Sequence, residues 1–298
     1  MPSLRIGLAQ IAPRLGTLDE NLGVHLARLR SAREEGVDLI VFPELGLTGY
    51  LLQDLNSEVA LRRDDERLLA LAAETADMSA VVGFVEESDE HQLYIAAALL
   101  EDGALRHVYR KSYLPNYGLF DERRFFGQGE QLRAVPSRLG VPLGICICED
   151  FWHLPTPYLL ALDGAQILIN ISSSPGRDVA ATRETGLGTA GSWRTLMRAY
   201  ATLTTSFVIF VNRVGVEETI TFWGGSQVLD PSGEVVFQAP LHEEGLYLTA
   251  IDLDDLRRER VALPLLRDER PELVLRQLER LLRDRAGLDE AADEAAAE

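Results

Sequence analysis

Residues 141–152, with the sequence VPLGICICEDFW, form the stretch from which the fold can be inferred. A mostly apolar run extends as far as Ile147, a pattern that predicts a buried strand. The strand ends at Cys148, and two acids and a turn toward Pro155 follow it. Ligands of α/β proteins bind beyond the carboxyl ends of the strands, so a thiol here is well placed to act as a nucleophile. The two acids oppose thiolate formation, and we therefore expect a cation and a base from elsewhere in the chain.

The composition excludes several classes of protein. Of the 298 residues, 46% are hydrophobic, which is enough for a sizeable core, and the formal net charge is -18. Phosphate binding needs a basic surface, so we expect no nucleic-acid partner. No apolar segment approaches the ~18 residues of a membrane span, and the amino terminus lacks the features of a signal peptide. The two cysteines lie close together in sequence and do not form a disulfide framework. We predict a cytoplasmic α/β protein with no membrane partner.

Strands and helices alternate along most of the chain. An amphipathic helix is predicted over 18–35, and a second helix from about Glu58 to Thr75. Besides 141–147, strands are predicted over residues 3–11, 38–42, 79–87, 93–100, 105–113, 166–172, 206–214, 226–230, 234–240 and 245–253. Since no linker interrupts this alternation, we predict sheet layers covered by helices in one domain. The predicted units are a domain over residues 1–265, a helical arm over 266–287 that docks on the body or on a partner subunit, and an acidic disordered tail over 288–298.

Each of three predicted strands is followed by one reactive polar group of its own. Glu44 follows DLIVFP (38–43), Lys111 follows LRHVYR (105–110) and Cys148 follows ICI (145–147). Each has a structural explanation when taken alone: a turn cap, a solvated basic cluster and a small core residue, respectively. Together they supply the base, the cation and the thiol that a cysteine nucleophile requires. Cys146 lies within its strand and is predicted to be an inert core thiol.

Other kinds of reaction centre have less support in the sequence. His153, five residues after Cys148, suggests a Cys–His pair, but no asparagine-bearing context of that kind accompanies it. The metal-binding patterns H-x-H, H-E-x-x-H and C-x-x-C are absent from the sequence, so no metal site is predicted. The segment GLGTAGS (186–192) is rich in glycine but lacks the lysine of a phosphate-binding loop.

Three segments resemble the signature segments of the nitrilase (carbon–nitrogen hydrolase) superfamily. They are FPELGLTGY (42–50), RKSYLPNYGLFDERRFF (110–126) and GICICEDFW (144–152). Their order of glutamate, lysine and cysteine agrees with the family, and the similarity extends to about residue 255. With NISSSP (170–175) and VNRVG (211–215), these segments look most like the glutamine amide-hydrolysing domain of glutamine-dependent NAD synthetases. The resemblance implies a four-layer α-β-β-α sandwich of the α/β class.

The resemblance also implies roles for individual residues. Cys148 attacks the carbonyl carbon of an amide, and Glu44 acts first as general base and then as proton donor to the departing ammonia. Lys111 stabilises the oxyanion, with the backbone N–H of Glu149 as a further candidate donor. Water activated by Glu44 then cleaves the thioester. Glu122 matches the place of a fourth acid that orients Lys111 and the substrate. Each of these charges is costly to bury alone, so we expect them as a neutralising set.

For a glutamine pocket, the resemblance points to side chains that hold the α-amino and α-carboxylate groups of the substrate. These are Tyr50, Tyr117, Phe120, Glu149 and Ser174. Tyr50 and Phe120 have an alternative role as core aromatics, and Ser174 as a turn residue. Arg177 and Arg183, on the following loop, are candidates for binding a carboxylate or are solvated.

We therefore predict hydrolysis of a C–N bond in a small amide, with no metal and no organic cofactor. Glutamine-like substrates are favoured, and N-carbamoyl compounds, ω-amides and nitriles are the alternatives. The rival from another class is a non-catalytic, glutaminase-like partner module. The sequence contains no SGG-x-DS phosphate loop, so we expect either a stand-alone amidase that supplies ammonia to a separate synthetase or an enzyme that has moved to another small amide. We also expect a homodimer or a higher homo-oligomer.

Overall fold

The computed structural model describes residues 3–176 and 188–297, and two β-sheets lie face to face at its centre. The strands, numbered along the chain, are β1 (Ser3–Gln10), β2 (Leu39–Val41), β3 (Ser79–Glu87), β4 (Leu93–Glu101), β5 (Ala104–Arg110), β6 (Leu143–Ile147), β7 (Ile167–Ser172), β8 (Phe207–Asn212), β9 (Val214–Glu217), β10 (Ile220–Trp223), β11 (Gln227–Leu229), β12 (Val235–Gln238) and β13 (Gly245–Asp252). The helices are α1 (Leu18–Glu34), α2 (Asn56–Val59), α3 (Glu66–Ala73), α4 (Pro155–Leu162), α5 (Gly188–Thr204), α6 (Asp254–Ala262), α7 (Leu265–Asp268) and α8 (Pro271–Ala297).

The strand directions bring several carboxyl ends to one end of the molecule. The first sheet has the order β13-β1-β2-β3-β4-β5, and the second has the order β12-β11-β8-β7-β6. β2 and β3 are parallel, and β5 runs in the same direction because two successive antiparallel pairings join it to β3. In the second sheet β6, β7 and β8 are parallel. The segments that leave β2, β5, β6 and β7 are therefore available to build a common site.

Alternate residues of the central strands serve two different cores. On β3, Val81 and Val85 belong to the cluster between the sheets, whereas Ala80, Val82 and Phe84 belong to the cluster under α1 and α3. On the other side, α4 and α5 contact the second sheet. The layers are thus helix, sheet, sheet and helix, and the predicted four-layer α-β-β-α sandwich is confirmed.

The predicted helix over residues 58–75 is wrong, because the chain forms α2 and α3 with a break between them. In the break, the Leu61 N–H donates to the carbonyl of Val85 at 2.8 Å, so this residue pairs with β3 instead of continuing a helix. The Asp65 side chain then accepts from the Arg67 N–H and caps the amino end of α3. A tertiary pairing has overridden the local helical pattern.

The carboxyl-terminal part of the chain is more helical than its composition indicates. α8 is one helix of 27 residues, and it continues through the boundary predicted at residues 287 and 288. Leu275, Leu278 and Leu282 are exposed on it. The division of this end into an arm and a disordered tail stays a prediction. Within residues 3–176 and 188–297, the structure contains no helix with the length and apolarity needed to cross a membrane.

Candidate active site

A buried ammonium between two carboxylates forms the centre of the candidate site. Lys111, directly after β5, donates from Nζ to Glu44 Oε1 at 2.7 Å, and it lies 2.8 Å from both carboxylate oxygens of Glu122. Only Oε1 of Glu122 meets Nζ in hydrogen-bond geometry. The exposed fractions are 0% for Glu44, 0% for Lys111 and 4% for Glu122. Such a group is tolerable in the interior only when the opposite charges neutralise one another.

The charges of this group influence one another strongly. Burial opposes the charged form of Lys111, but the carboxylates of Glu122 and Glu44 outweigh it and raise the pKa of the ammonium well above its ordinary value. Burial raises the pKa of Glu122 to about 7, although the neighbouring Lys111 favours its ionised form. Lys111 is therefore a permanent cation, and Glu122 changes its charge near neutral pH.

Cys148 occupies a strained position at the end of β6. Its φ is 46°, in the left-handed region, which costs a residue with a side chain roughly 1–3 kcal/mol. The residue begins a short 3-10 turn over Cys148–Trp152, and the side-chain amide of Asn170 donates to its carbonyl at 3.3 Å. Its exposed fraction is 8%, and it forms part of the wall of a cavity. The strand end and turn thus place Cys148 in the wall of the cavity, and its role as a nucleophile stays a prediction.

The resting thiol is not activated by its surroundings. Burial raises the pKa of Cys148 well above the ordinary thiol value, and the negative charge of Glu44 adds to this effect. Lys111 lowers the pKa but does not reverse the sum, because Glu122 and Glu149 also raise it. At neutral pH Cys148 is therefore a neutral thiol, which would need a base to remove its proton before it could act as a nucleophile.

Asp150 fixes the turn that carries the thiol, a role that the sequence analysis did not identify. Its buried carboxylate binds donors from two segments, the end of β6 and the end of β5 with the chain that follows it. The donors are the N–H groups of Ile147 (2.9 Å), Ser112 (3.1 Å) and Tyr113 (3.0 Å) and the hydroxyl of Tyr109 (2.8 Å). Burial raises the pKa of Asp150 to about 6, against the effect of these hydrogen bonds. Asp150 therefore ties the thiol turn to the Lys111 segment.

Glu44 is held from the second sheet as well as by Lys111. The Ser173 N–H donates to Glu44 Oε2 at 2.8 Å, and the Ser173 hydroxyl donates to the Glu44 carbonyl at 2.8 Å. The segment also lies directly against β3. A Cβ added to Gly83 would stand 2.5 Å from the Pro43 carbonyl oxygen and 2.7 Å from the Leu45 nitrogen. Only glycine permits this approach.

A cavity of about 240 Å³ opens above the thiol. Four of the five residues predicted to bind substrate line it, and two tryptophans that the sequence analysis did not select also line it. The residues are Tyr117, Phe120, Glu149, Ser174, Trp152 and Trp193. Tyr50 is the exception, because its hydroxyl donates to Glu122 Oε1 at 2.5 Å and its ring lines a separate cavity of about 280 Å³. A direct substrate contact for any of the five stays a prediction.

The cavity wall has one acidic group and one hydroxyl in fixed positions. The Tyr117 hydroxyl donates to both oxygens of Glu149, at 3.1 and 3.0 Å. Ser174 Oγ accepts from the indole N–H groups of Trp193 at 2.8 Å and Trp223 at 3.4 Å. Since these two bonds occupy the lone pairs of Oγ, Ser174 is left to donate its own proton. The wall thus offers an anion at one place and a hydrogen-bond donor at another.

The alternative Cys–His centre has no support in the geometry. The His153 ring stacks on Tyr113, with the ring centroids 3.7 Å apart, and its Nε2 lies 3.6 Å from Glu149. Arg177 and Arg183 lie outside the described residues. Among the described residues, no group of three or more His, Cys, Asp or Glu side chains is arranged to hold a metal ion. The absence of a cofactor stays a prediction.

Comparison with known proteins shows which families and structures the chain is similar to. A family model for carbon–nitrogen hydrolases matches residues 5–260. The glutamine-dependent NAD(+) synthetase of Thermotoga maritima is 37% identical over an alignment of 264 residues, and the match covers 86% of this chain and 43% of that protein. The structure of glutamine-dependent NAD+ synthetase from Acinetobacter baumannii in complex with ADP is 32% identical, with a TM-score of 0.76, and the match covers 86% of this chain and 47% of that one.

A second solved structure matches over almost its whole length. The crystal structure of carbon–nitrogen hydrolase from Helicobacter pylori G27 is 25% identical, with a TM-score of 0.79, and the match covers 93% of this chain and 99% of that one. By contrast, the chain spans less than half the length of the NAD synthetases it matches. The similarity to them therefore concerns one part of those proteins.

Proposed function

This chain belongs to the carbon–nitrogen hydrolase family, and we propose that it hydrolyses the side-chain amide of a glutamine-like small molecule through a thioester on Cys148. The observation that carries the proposal is the buried Glu44–Lys111–Glu122 group, whose charges act on the Cys148 thiol, together with the small cavity that Cys148 lines. A base, a fixed cation and a nucleophile are the components that acyl transfer through cysteine requires.

In the proposed first step, Glu44 takes the proton of Cys148 while Sγ attacks the carbonyl carbon of the amide. The carbonyl oxygen becomes an oxyanion, which Lys111 Nζ stabilises together with the Glu149 N–H. The C–N bond then breaks as Glu44 returns the proton to the nitrogen, and ammonia leaves. Because the resting thiol is neutral, proton removal and attack occur together.

In the second step, Glu44 takes a proton from water, and the resulting hydroxide attacks the thioester carbonyl. Lys111 stabilises this oxyanion as before. The C–S bond breaks, the sulfur recovers the proton from Glu44, and the carboxylic acid leaves. Glu122 is ascribed no proton transfer in this scheme; its carboxylate holds Lys111 at a fixed distance from the reacting carbonyl.

The lining of the cavity favours an amide that carries an ammonium and a carboxylate. Glu149, fixed by Tyr117, is suited to bind an ammonium group, and Ser174 is suited to donate to a carboxylate. The volume of about 240 Å³ is below the roughly 300–1,000 Å³ usual for sites that bind drug-sized ligands, so a small molecule is preferred. We propose that the released ammonia serves an ammonia-using synthetase. A cytoplasmic location and a homo-oligomeric state stay predictions.

The test measures ammonia release from a panel of glutamine, asparagine, other ω-amides, N-carbamoyl compounds and nitriles. We expect glutamine to give the highest kcat/KM. Cys148→Ala should abolish release, whereas the matched variant Cys146→Ser should retain it, because Cys146 is fully buried within β6. A loss of similar size in both variants would refute the choice of nucleophile. Absence of turnover across the panel would favour the non-catalytic module.

A further inference from the structure

A buried ion pair lies outside the candidate site and takes no part in the chemical steps proposed above. Arg213 and Glu217 are 1% and 5% exposed, and Arg213 Nη1 lies 2.6 Å from Glu217 Oε2. Burying two charges costs free energy that an apolar pair of the same size would not, so such pairs are weak evidence of a purely stabilising role. The remaining contacts of the pair indicate what it does.

Glu217 binds the main chain immediately beside Tyr50. Its Oε1 accepts from the Tyr50 N–H at 2.9 Å and from the Leu51 N–H at 2.5 Å. Neither N–H belongs to a strand or a helix, and an apolar side chain would leave both unsatisfied. Arg213 in turn holds the carboxylate and donates from Nη2 to the Pro13 carbonyl at 3.0 Å. The pair thus provides hydrogen-bond partners for the main-chain groups of Tyr50, Leu51 and Pro13.

The segment is held tightly on both sides. Gly49 has a φ of 80°, and a Cβ added there would lie 2.9 Å from Glu217 Oε2 and 2.8 Å from the Leu15 Cα. The guanidinium of Arg213 lies 4.1 Å from the ring centroid of Phe222, and that ring contacts Tyr50 edge-on. Tyr50 therefore has its main chain fixed by Glu217 and its ring fixed by Phe222.

From Tyr50 the contacts continue directly to the reacting groups. Its hydroxyl donates to Glu122 Oε1, and Glu122 holds Lys111. We propose that the Arg213–Glu217 ion pair positions the candidate site, because it fixes Tyr50 so that its hydroxyl orients Glu122 and thereby Lys111. Arg213 and Glu217 are positioning residues in this scheme. The inference rests on the proposed function only for the role of Lys111 in stabilising the oxyanion. The contacts that lead from Arg213 to Lys111 do not depend on that function.

The test is a double-mutant cycle with Glu217→Gln and Tyr50→Phe. Glu217→Gln keeps the size and one acceptor oxygen but removes the charge that Arg213 binds. We expect each single variant to lower kcat about tenfold with KM nearly unchanged, because a small displacement of Lys111 weakens only the stabilisation of the oxyanion. The double variant should be no slower than Tyr50→Phe, since both act through one hydroxyl.

The pH profile gives a second readout that a merely structural role would not change. The Tyr50 hydroxyl favours the ionised form of Glu122. We expect kcat/KM to fall as Glu122 gains a proton near pH 7, and both single variants should therefore move this inflection to higher pH, by similar amounts. Glu101→Gln is the matched control. Glu101 is also a buried acid, but it binds Ser79 and Arg138 at the opposite end of the first sheet. This variant should lower Tm without changing kcat or the profile.

Additive losses in the double variant would overturn the inference, as would a lowered Tm with unchanged kcat in Glu217→Gln. If Glu217→Gln does not fold, Arg213→Lys, which keeps the charge, replaces it in the same cycle with the same criteria. The rate of Cys148 alkylation by iodoacetamide against pH, read by peptide mass spectrometry, separates this test from the proposed function. If no amide is hydrolysed, the proposed function fails. A non-additive shift of the alkylation midpoint then still supports the ion-pair inference, and additive shifts refute it.

Discussion

The Cys148 thiol lies in a field that opposes its ionisation. From the sequence, we expected a cation to offset the two acids that follow it. In the structure those acids have other partners, Asp150 in four hydrogen bonds and Glu149 with Tyr117. Ionisation of the thiol is opposed mainly by burial and by the negative charge of Glu44, which is the candidate base. The same carboxylate thus keeps the resting sulfur protonated and stands ready to accept its proton.

This double role of Glu44 predicts opposite effects on two measurements. In Glu44→Gln the base is lost, so ammonia release should fall by about 10³-fold. The negative charge that raises the pKa of Cys148 is lost as well, so the thiolate fraction should rise. Alkylation by iodoacetamide, which needs only the thiolate, should therefore become faster at pH 8. If alkylation slows together with hydrolysis, the carboxylate does not act on the thiol in this way.

Glu122 predicts a pH dependence near neutrality. Its pKa is about 7, and only the ionised form holds Lys111 against the pull of Glu44. As the pH falls through 7 the carboxyl gains a proton, so Lys111 pairs more closely with Glu44 and the base is weakened. We expect kcat/KM to fall below about pH 7. Glu122→Gln should lower kcat/KM about 100-fold and should remove this inflection. Retention of the inflection in that variant would assign it to another group.

At the scale of elements, the site depends on how closely a strand approaches a loop. β3 lies beneath the Pro43–Leu45 segment, and Gly83 is the point of contact. Gly83→Ala places a methyl group against main-chain atoms, which cannot rotate away. We expect the Glu44 segment to move, with a loss of about 100-fold in kcat/KM and roughly 1–3 kcal/mol of stability.

The matched control makes the same chemical change where there is space. Gly23 lies in α1, and no atom is within 4 Å of a Cβ added there. Gly23→Ala should leave kcat/KM unchanged and raise the free energy of unfolding by about 0.5–1 kcal/mol, since alanine favours the helix. Urea unfolding and ammonia release measure both quantities. Similar activity losses in the two variants would mean that Gly83 does not set the position of Glu44.

The elements also show what the sequence could predict. Apolar runs located the strands, and the polar residues after them identified Glu44, Lys111 and Cys148. Glu122 begins a short 3-10 turn in a segment whose sequence has no strand or helix period, so only its resemblance to a family motif identified it. The contacts of Ser173 with Glu44 and the donors around Asp150 join residues 129 and up to 41 positions apart, and no local pattern encodes them. The break between α2 and α3 arose in the same way, from the pairing of Leu61 with β3.

In the molecule as a whole, the two sheets contribute different groups to the candidate site. The first sheet provides the base and the cation through the segments after β2 and β5, and the second provides the thiol through the turn after β6. Asp150 and Ser173 tie the segments of the two sheets together across the interface. Separation of the sheets would therefore destroy the site before any side chain changed. Activity and global stability should be lost together on denaturation.

One buried group gives the stability of the whole molecule a defined pH dependence. His25 lies in α1, stacks on Phe42 with centroids 4.3 Å apart, and has its Nδ1 2.8 Å from the Asn21 carbonyl oxygen. Burial lowers the pKa of His25 from 6.5 to about 4. Between these values the unfolded chain binds a proton that the folded chain does not, so the contribution of His25 to stability is full above pH 6.5 and decreases as the pH falls toward 4.

The size of this effect can be measured with His25→Gln, which has no titrating ring. Asp150 and Glu122, whose raised pKa values act in the opposite direction, are present in both proteins and cancel in the difference. Between pH 7 and pH 4, the wild-type protein should lose about 3 kcal/mol of unfolding free energy relative to the variant. Urea unfolding across this range measures the difference. If the difference in unfolding free energy between the two proteins does not change with pH, His25 has the same pKa in the folded and unfolded chains. The ring would then be exposed to water and not packed against Phe42.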